Sequence, residues 1–151
     1  MNDTATLKDT IVVEIDIDAP PERVFQAWID PRQRLAWWGD DQTYRSTRLD
    51  SDLRVGGKWR TEGKSADGKV FSVFGQYTRV EPPKALAFTW NHDWGGPEMP
   101  ETHVLVEMIP TSSGTHVTVT HSGFTTVPER DSHNAGWQRV LGWLRSYLQP
   151  S

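Results

Sequence analysis

The sequence predicts an α+β domain in which an antiparallel sheet of about seven strands is joined by two short helices near its N-terminus and one long helix at its C-terminus. Three observations lead to this. Apolar and polar residues alternate through most of the chain between Ile11 and His121, the period of strands with one buried face. The breaks between these runs are short, which favours antiparallel neighbours, since parallel strands need long crossovers. After Thr126 the apolar period changes to steps of three and four, the signature of a one-sided helix.

The first run places Ile11, Val13, Ile15 and Ile17 opposite Val12, Glu14, Asp16 and Asp18, a half-buried strand. Ala19-Pro20-Pro21-Glu22 breaks it and opens a short helix, with Val24, Phe25 and Trp28 on one side; Asp30-Pro31 stops that helix. Arg32 to Trp38 reads as a second short helical piece. Tyr44 to Asp50 and Gly57 to Lys64 then read as strands, and Asp67-Gly68 forms a tight hairpin into a longer strand from Val70 to Val80. Pro82-Pro83 turns the chain again, and Ala85 to Asn91 puts Leu86, Phe88 and Trp90 on one face. Thr102 to Ile109 follows, and Ser112-Ser113-Gly114 links it to a last strand, His116 to His121.

The terminal helix carries its own start signal. Thr126 and Glu129 have the spacing of a capping box, and Pro128 falls in the first turn, where its missing N–H costs nothing. Trp137, Val140, Leu141, Leu144 and Leu148 form its apolar face, with Gln138, Arg139, Arg145 and Gln149 largely opposite. From Pro128 to Leu148, at about 1.5 Å per residue, it spans roughly 30 Å, the width of a small domain.

A chain of 151 residues fits one domain, here 1–151 with 1–10 as a polar, flexible tail. A domain of this size buries roughly 68–70% of its unfolded surface, enough for a core and a cavity. The sequence has no apolar run of bilayer length and no signal-peptide pattern at its start, so a cytoplasmic setting is expected. With no cysteine, disulfides, thiolate nucleophiles and cysteine-based metal sites are excluded. A net charge of −4 without a Lys/Arg cluster argues against nucleic acid and anionic membranes as partners.

Eight tryptophans are the unusual feature of the composition, and indoles suit both cores and ligand walls. Trp28 belongs to the apolar side of the first helix and is expected in the core. Trp37 and Trp38 precede Gly39 at a helix exit, where Trp38 could form a cavity rim. Trp59, Tyr77 and Trp90 face the terminal helix if alternation holds, whereas a bulge at Gly75 would reverse part of that assignment. Trp94 sits in a Gly-rich loop as a lid residue or an exposed ring. Trp137 lies at the centre of the helix's apolar face, as core or as cavity wall.

His121 follows Val117 and Val119 at two-residue steps, so it shares their inward face as hydrogen-bonded structure or as a group that orients a ligand. His103 is out of phase with Val104 and Val106; His92, His116 and His133 fall in turns, outward positions or a helix start. No metal-ligand spacing emerges from these residues, and no metal or cofactor is expected. Gly56-Gly57-Lys58 lacks the rest of a phosphate loop, and Ser122 lacks a nucleophile elbow. Asp40-Asp41, and Glu98 with Glu101, read as solvated loop carboxylates, so no catalytic residue is assigned.

The order of these pieces carries a resemblance from about Ile11 to Leu148. Ala19-Pro20-Pro21-Glu22-Arg23-Val24-Phe25-Gln26-Ala27-Trp28, Trp37-Trp38, Gly56-Gly57-Lys58-Trp59, Glu81-Pro82-Pro83, Leu86-Ala87-Phe88-Thr89-Trp90, Thr120-His121-Ser122-Gly123-Phe124 and Gly136-Trp137 occur in sequence. Together they resemble the START-like superfamily, and within it the bacterial proteins similar to the C-terminal domain of the activator of the heat-shock protein 90 ATPase. The resemblance implies a helix-grip fold with an apolar pocket between the sheet and the terminal helix. It supplies no universal catalytic residue.

The ligand-facing candidates are therefore Trp38, Trp59, Tyr77, Trp90, His121, Phe124, Trp137, Leu141 and Leu144, around a small hydrophobic or aromatic molecule. Two other readings are an aromatase/cyclase-like enzyme, which would need Tyr77 or His121 for turnover, and a chaperone-ATPase-associated interaction protein. The eukaryotic activator's separate chaperone-binding domain has no room here, so a co-chaperone role is not expected. Edge strands and tryptophans would permit a homodimer.

Overall fold

A computed structural model of the chain describes residues 9–93 and 100–149. The element order is β1 (Thr10–Ile17), α1 (Pro21–Ile29), α2 (Pro31–Trp37), β2 (Tyr44–Ser51), β3 (Lys58–Ser65), β4 (Val70–Glu81), β5 (Ala85–Asp93), β6 (Thr102–Pro110), β7 (Thr115–Ser122) and α3 (Val127–Leu148). The strands form one seven-stranded sheet in the order β1-β7-β6-β5-β4-β3-β2, and every neighbouring pair is antiparallel. Strands β2 to β7 thus run as a meander, and β1 closes the far edge beside β7. This is the helix-grip arrangement, α+β in class. The reading at Trp94, Gly95, Gly96 and Pro97, and that of the tail over residues 1–8, lies outside the described residues.

The helix starts follow the expected chemistry. Asp30 caps α2 by accepting a hydrogen bond from Arg32 N at 3.0 Å, with Pro31 in the first turn. Thr126 Oγ1 accepts from Glu129 N at 3.3 Å at the start of α3. Helix α3 buries Trp137, Val140, Leu141, Leu144 and Leu148, and also His133, one turn before Trp137 on the same face. Among the described residues no helix is long and apolar enough to cross a membrane.

One continuous core joins the sheet's inner face to the three helices. It takes Val24, Phe25 and Trp28 from α1, Val104, Val106 and Met108 from β6, Val117 and Val119 from β7, and the buried face of α3. Trp28 is fully buried, with Trp37 and Trp38 packed edge-on at 5.4 and 5.6 Å between ring centres. The β4–β5 register is the same on both sides of Gly75, and its shift falls between Tyr77 and Arg79 instead. Gly75 marks a close approach of the two strands, because a Cβ there would lie 2.0 Å from the carbonyl oxygen of Thr89. Trp59 and Tyr77 therefore keep their inward orientation.

The segment after α2 is folded tightly onto the start of β2. Gly39 adopts φ +130°, and a Cβ at that position would come within 2.5 Å of Tyr44 O. Asp40 N donates to Tyr44 O at 2.8 Å and Ser46 Oγ donates to Trp38 O at 2.8 Å. The result fixes the Trp38 ring beside β2, with its Nε1 donating to Tyr44 Oη at 3.0 Å.

Candidate functional site

Between the outer half of the sheet and α3 lies a cavity of about 390 Å³. Its wall is drawn from α2 and the residue after it (Arg34, Trp38), from β2 (Tyr44, Ser46), β3 (Thr61, Ser65), Lys69 and β4 (Phe71, Val73), from Trp90 on β5, and from α3 (Ser132, His133, Gly136, Trp137, Arg139, Val140). Strand alternation explains the sheet's contribution, since Thr61 lies two residues from Trp59, and Phe71 two from Val73, on the inward face. On α3, the residues from Ser132 to Val140 span two turns of one side.

Three of the sequence-predicted residues meet at this wall. Trp137 stands 5.7 Å from Trp38 and 5.5 Å from Trp90, between ring centres, so the three indoles form a continuous surface. Tyr44 and Phe71 add a second aromatic pair, edge-on at 5.1 Å. The other six candidates stand elsewhere. Trp59 and Tyr77 line a neighbouring crevice with Arg34 and Phe88 that is too tight to hold a water, and Tyr77 Oη is bonded to Ser51 Oγ at 2.7 Å. Leu141 and Leu144 follow Trp137 by one and two turns, where α3 is closed against the core. Phe124 packs on His121, 4.5 Å between ring centres, behind the cavity wall.

His121 is fully buried, and its two nitrogens are both used. Trp137 Nε1 donates to His121 Nδ1 at 2.9 Å, which requires the ring proton to be on Nε2. His121 Nε2 then donates to Thr102 Oγ1 at 2.7 Å, and that hydroxyl donates to Trp90 O at 3.3 Å. Burial drives the imidazole pKa down to about 2, so the ring is neutral and serves to hold Trp137 and β5 in place.

Two other histidines are placed differently from the expectation of turns and helix starts. His92 is inside β5, which runs on to Asp93, and its side chain is 2% exposed. His133 is on the buried side of α3, lines the cavity and donates from Nδ1 to Glu129 O at 2.8 Å. Burial lowers the pKa of both rings. Glu129 Oε2 stands 3.7 Å from His92 Nε2 and 3.8 Å from His133 Nδ1, and the donor atoms of the three residues lie within 4.8 Å of one another. Two neutral imidazoles and a carboxylate are donors suited to a first-row divalent cation. Linear spacing hid this set because His92 comes from a strand and Glu129 and His133 from a helix distant in sequence.

Arg34 is one of the cavity residues, with Tyr44, Phe71 and His133, that sequence reasoning did not assign to a site. It is 6% exposed, donates from Nη1 to Trp28 O at 3.1 Å and lies 4.5 Å over the Trp38 ring. Burial lowers its pKa to about 10, opposed by Tyr77 and Tyr44, so it remains charged at neutral pH. Its signal was available: it precedes Trp38 by one helical turn and so shares that residue's face. Thr61 Oγ1 and Trp90 Nε1, also on the wall and buried, have no hydrogen-bond partner among the described residues.

Comparison with known proteins places this geometry in a family. The family described as activator of Hsp90 ATPase homolog 1-like protein matches residues 18–149. No curated protein matches the chain. Among solved structures, an AHSA1-like protein from Aeromonas hydrophila is 30% identical with a TM-score of 0.74, covering 93% of this chain and 92% of that one. A protein from Chromobacterium violaceum is 26% identical with a TM-score of 0.83, covering 95% and 99%. A protein from Arthrobacter aurescens, 24% identical with a TM-score of 0.82 over 100% and 91%, shares the fold. The family match spans strands β2 to β7, the cavity and the gripping helix together, and the chain belongs to the activator of Hsp90 ATPase homolog 1-like family.

Proposed function

We propose that the protein binds a small hydrophobic or aromatic molecule in the cavity between the sheet and α3. The observation that carries this reading is the cavity itself: about 390 Å³, walled by Trp38, Trp90 and Trp137 together with Tyr44 and Phe71. Small-molecule pockets run from about 300 to 1,000 Å³ and are mostly apolar with a few placed polar groups. Its wall is largely aromatic and apolar, a surface that an apolar ligand would take out of water.

The enzyme reading has less support. Tyr77 and His121, the residues it would need, are outside the cavity wall, and both have side-chain partners that account for them. Since neither residue that reading needs lies on the wall, binding explains the arrangement with fewer assumptions.

A thermal-shift screen with fatty acids, polyketide-like aromatics and flavonoids tests the proposal. A ligand at a hundred times its dissociation constant adds about 2.7 kcal/mol, which for a chain of this length raises Tm by roughly 5–10 °C. A melt unmoved by every hydrophobic compound, together with capture of a chaperone ATPase in a pull-down, would replace this reading with the interaction-protein one.

A further inference from the structure

The chemistry of the cavity's polar groups narrows the class of molecule it takes, granting the binding function proposed above. The chain as a whole is acidic, with 20 Asp and Glu against 16 Lys and Arg. The cavity wall reverses that balance, for it contains Arg34, Lys69 and Arg139 and no carboxylate. Glu129, beside His133, does not line it. None of the three cations forms an ion pair with a carboxylate among the described residues, although six arginine–carboxylate pairs occur elsewhere.

Arg34 is the decisive member. A guanidinium taken out of water is costly unless it is paired, and this one is 6% exposed. Trp28 O, near the negative end of α1, and the Trp38 face offset part of that cost. They use one of the five N–H donors of the fork. Two further groups on the same wall, Trp90 Nε1 and Thr61 Oγ1, can donate hydrogen bonds and have no partner among the described residues. A wall that offers a fixed cation and buried donors, with no anionic acceptor, is complementary to an oxyanion.

We propose that the ligand is an amphiphilic organic anion, its carboxylate or comparable oxyanion held by Arg34 and its apolar body lying on Trp38, Trp90 and Trp137. Arg139 and Lys69, on the exposed side of the same wall, attract the anion and contribute less to its retention.

Two matched pairs test this: decanoate against decanamide, and 1-anilinonaphthalene-8-sulfonate against N-phenyl-1-naphthylamine, each titrated at neutral pH by quenching of tryptophan fluorescence. The anion of each pair is expected to bind at least about ten-fold more tightly than its neutral counterpart. Arg34→Gln is expected to remove most of that preference while leaving the neutral compounds within about two-fold of their original affinity. Equal binding of anion and neutral partner to the unmodified protein overturns the anion assignment and leaves the cavity reading standing. Failure of all four compounds to bind overturns both. If Arg34→Gln does not fold, the matched pairs on the unmodified protein decide, and Arg139→Gln, at an exposed position, checks the electrostatic contribution by a smaller loss confined to the anions.

Discussion

The indole N–H of Trp137 donates to Nδ1 of His121 across 2.9 Å, tying the centre of the gripping helix to the innermost titratable group of the sheet. Trp137 thus presents one side of its ring to the cavity and its polar edge to a chain that continues through Thr102 to the backbone of Trp90. Two indoles of the cavity wall are set by one buried imidazole, which explains why a residue outside the cavity matters to its shape.

That relationship fixes a pH dependence. His121 stays neutral in the folded protein down to about 2, against an ordinary value of 6.5. Between those limits the unfolded chain binds a proton that the folded one does not, so stability is fully present above about 6.5 and declines as pH falls, by a little over 1 kcal/mol per pH unit for each such group. His92 and His133, also lowered by burial, act in the same sense. His116, raised by Glu14 and Asp16 on the exposed face of the sheet, acts oppositely and loses its contribution as pH rises through its folded value. Urea midpoints between pH 7 and pH 4.5 should fall steadily, and His121→Asn should shallow that slope by about one proton.

Trp137→Phe keeps most of the apolar ring but leaves His121 Nδ1 without its donor. An unsatisfied buried acceptor costs about 1–3 kcal/mol, so the variant should fold with a reduced urea midpoint and an unchanged m-value. Its response to a cavity ligand should change as well, because the wall between Trp38 and Trp90 is altered. Full stability with an unaltered ligand response would remove Trp137 from both roles.

Gly136 offers a separation of cavity from fold. It lines the cavity, and a Cβ at this position meets nothing within 4 Å. Gly136→Ala should stabilise the protein by up to about 1 kcal/mol through helix propensity. Gly136→Leu should retain a native melt while filling the space and lowering affinity for any cavity ligand, as shown by the loss of its thermal shift.

The fold was legible because its signals are local. The Thr126 cap, the Asp30-Pro31 stop and the two-residue steps of Val117, Val119 and His121 each act within a few residues, and the structure places all of them as read. The cavity depends on which stretch of each element remains uncovered, and that is a matter of tertiary packing. Leu141 and Leu144 share a helix face with Trp137, yet they lie past the point where α3 closes on the core. Trp59 and Tyr77 point inward as alternation requires, but Phe88 fills the space beside them, at 5.3 and 6.4 Å between ring centres. Arg34 was hidden by its type, since an arginine in a seven-residue polar helix reads as surface until Trp28 and Trp38 enclose it.

The most direct measurement is the indole N–H region of a nitrogen-15 correlation spectrum during titration with N-phenyl-1-naphthylamine. A cavity ligand should shift the resonances of Trp38, Trp90 and Trp137 saturably and leave those of the core residues Trp28 and Trp37 in place. Unmoved resonances for Trp38, Trp90 and Trp137 at saturating probe would contradict the binding account.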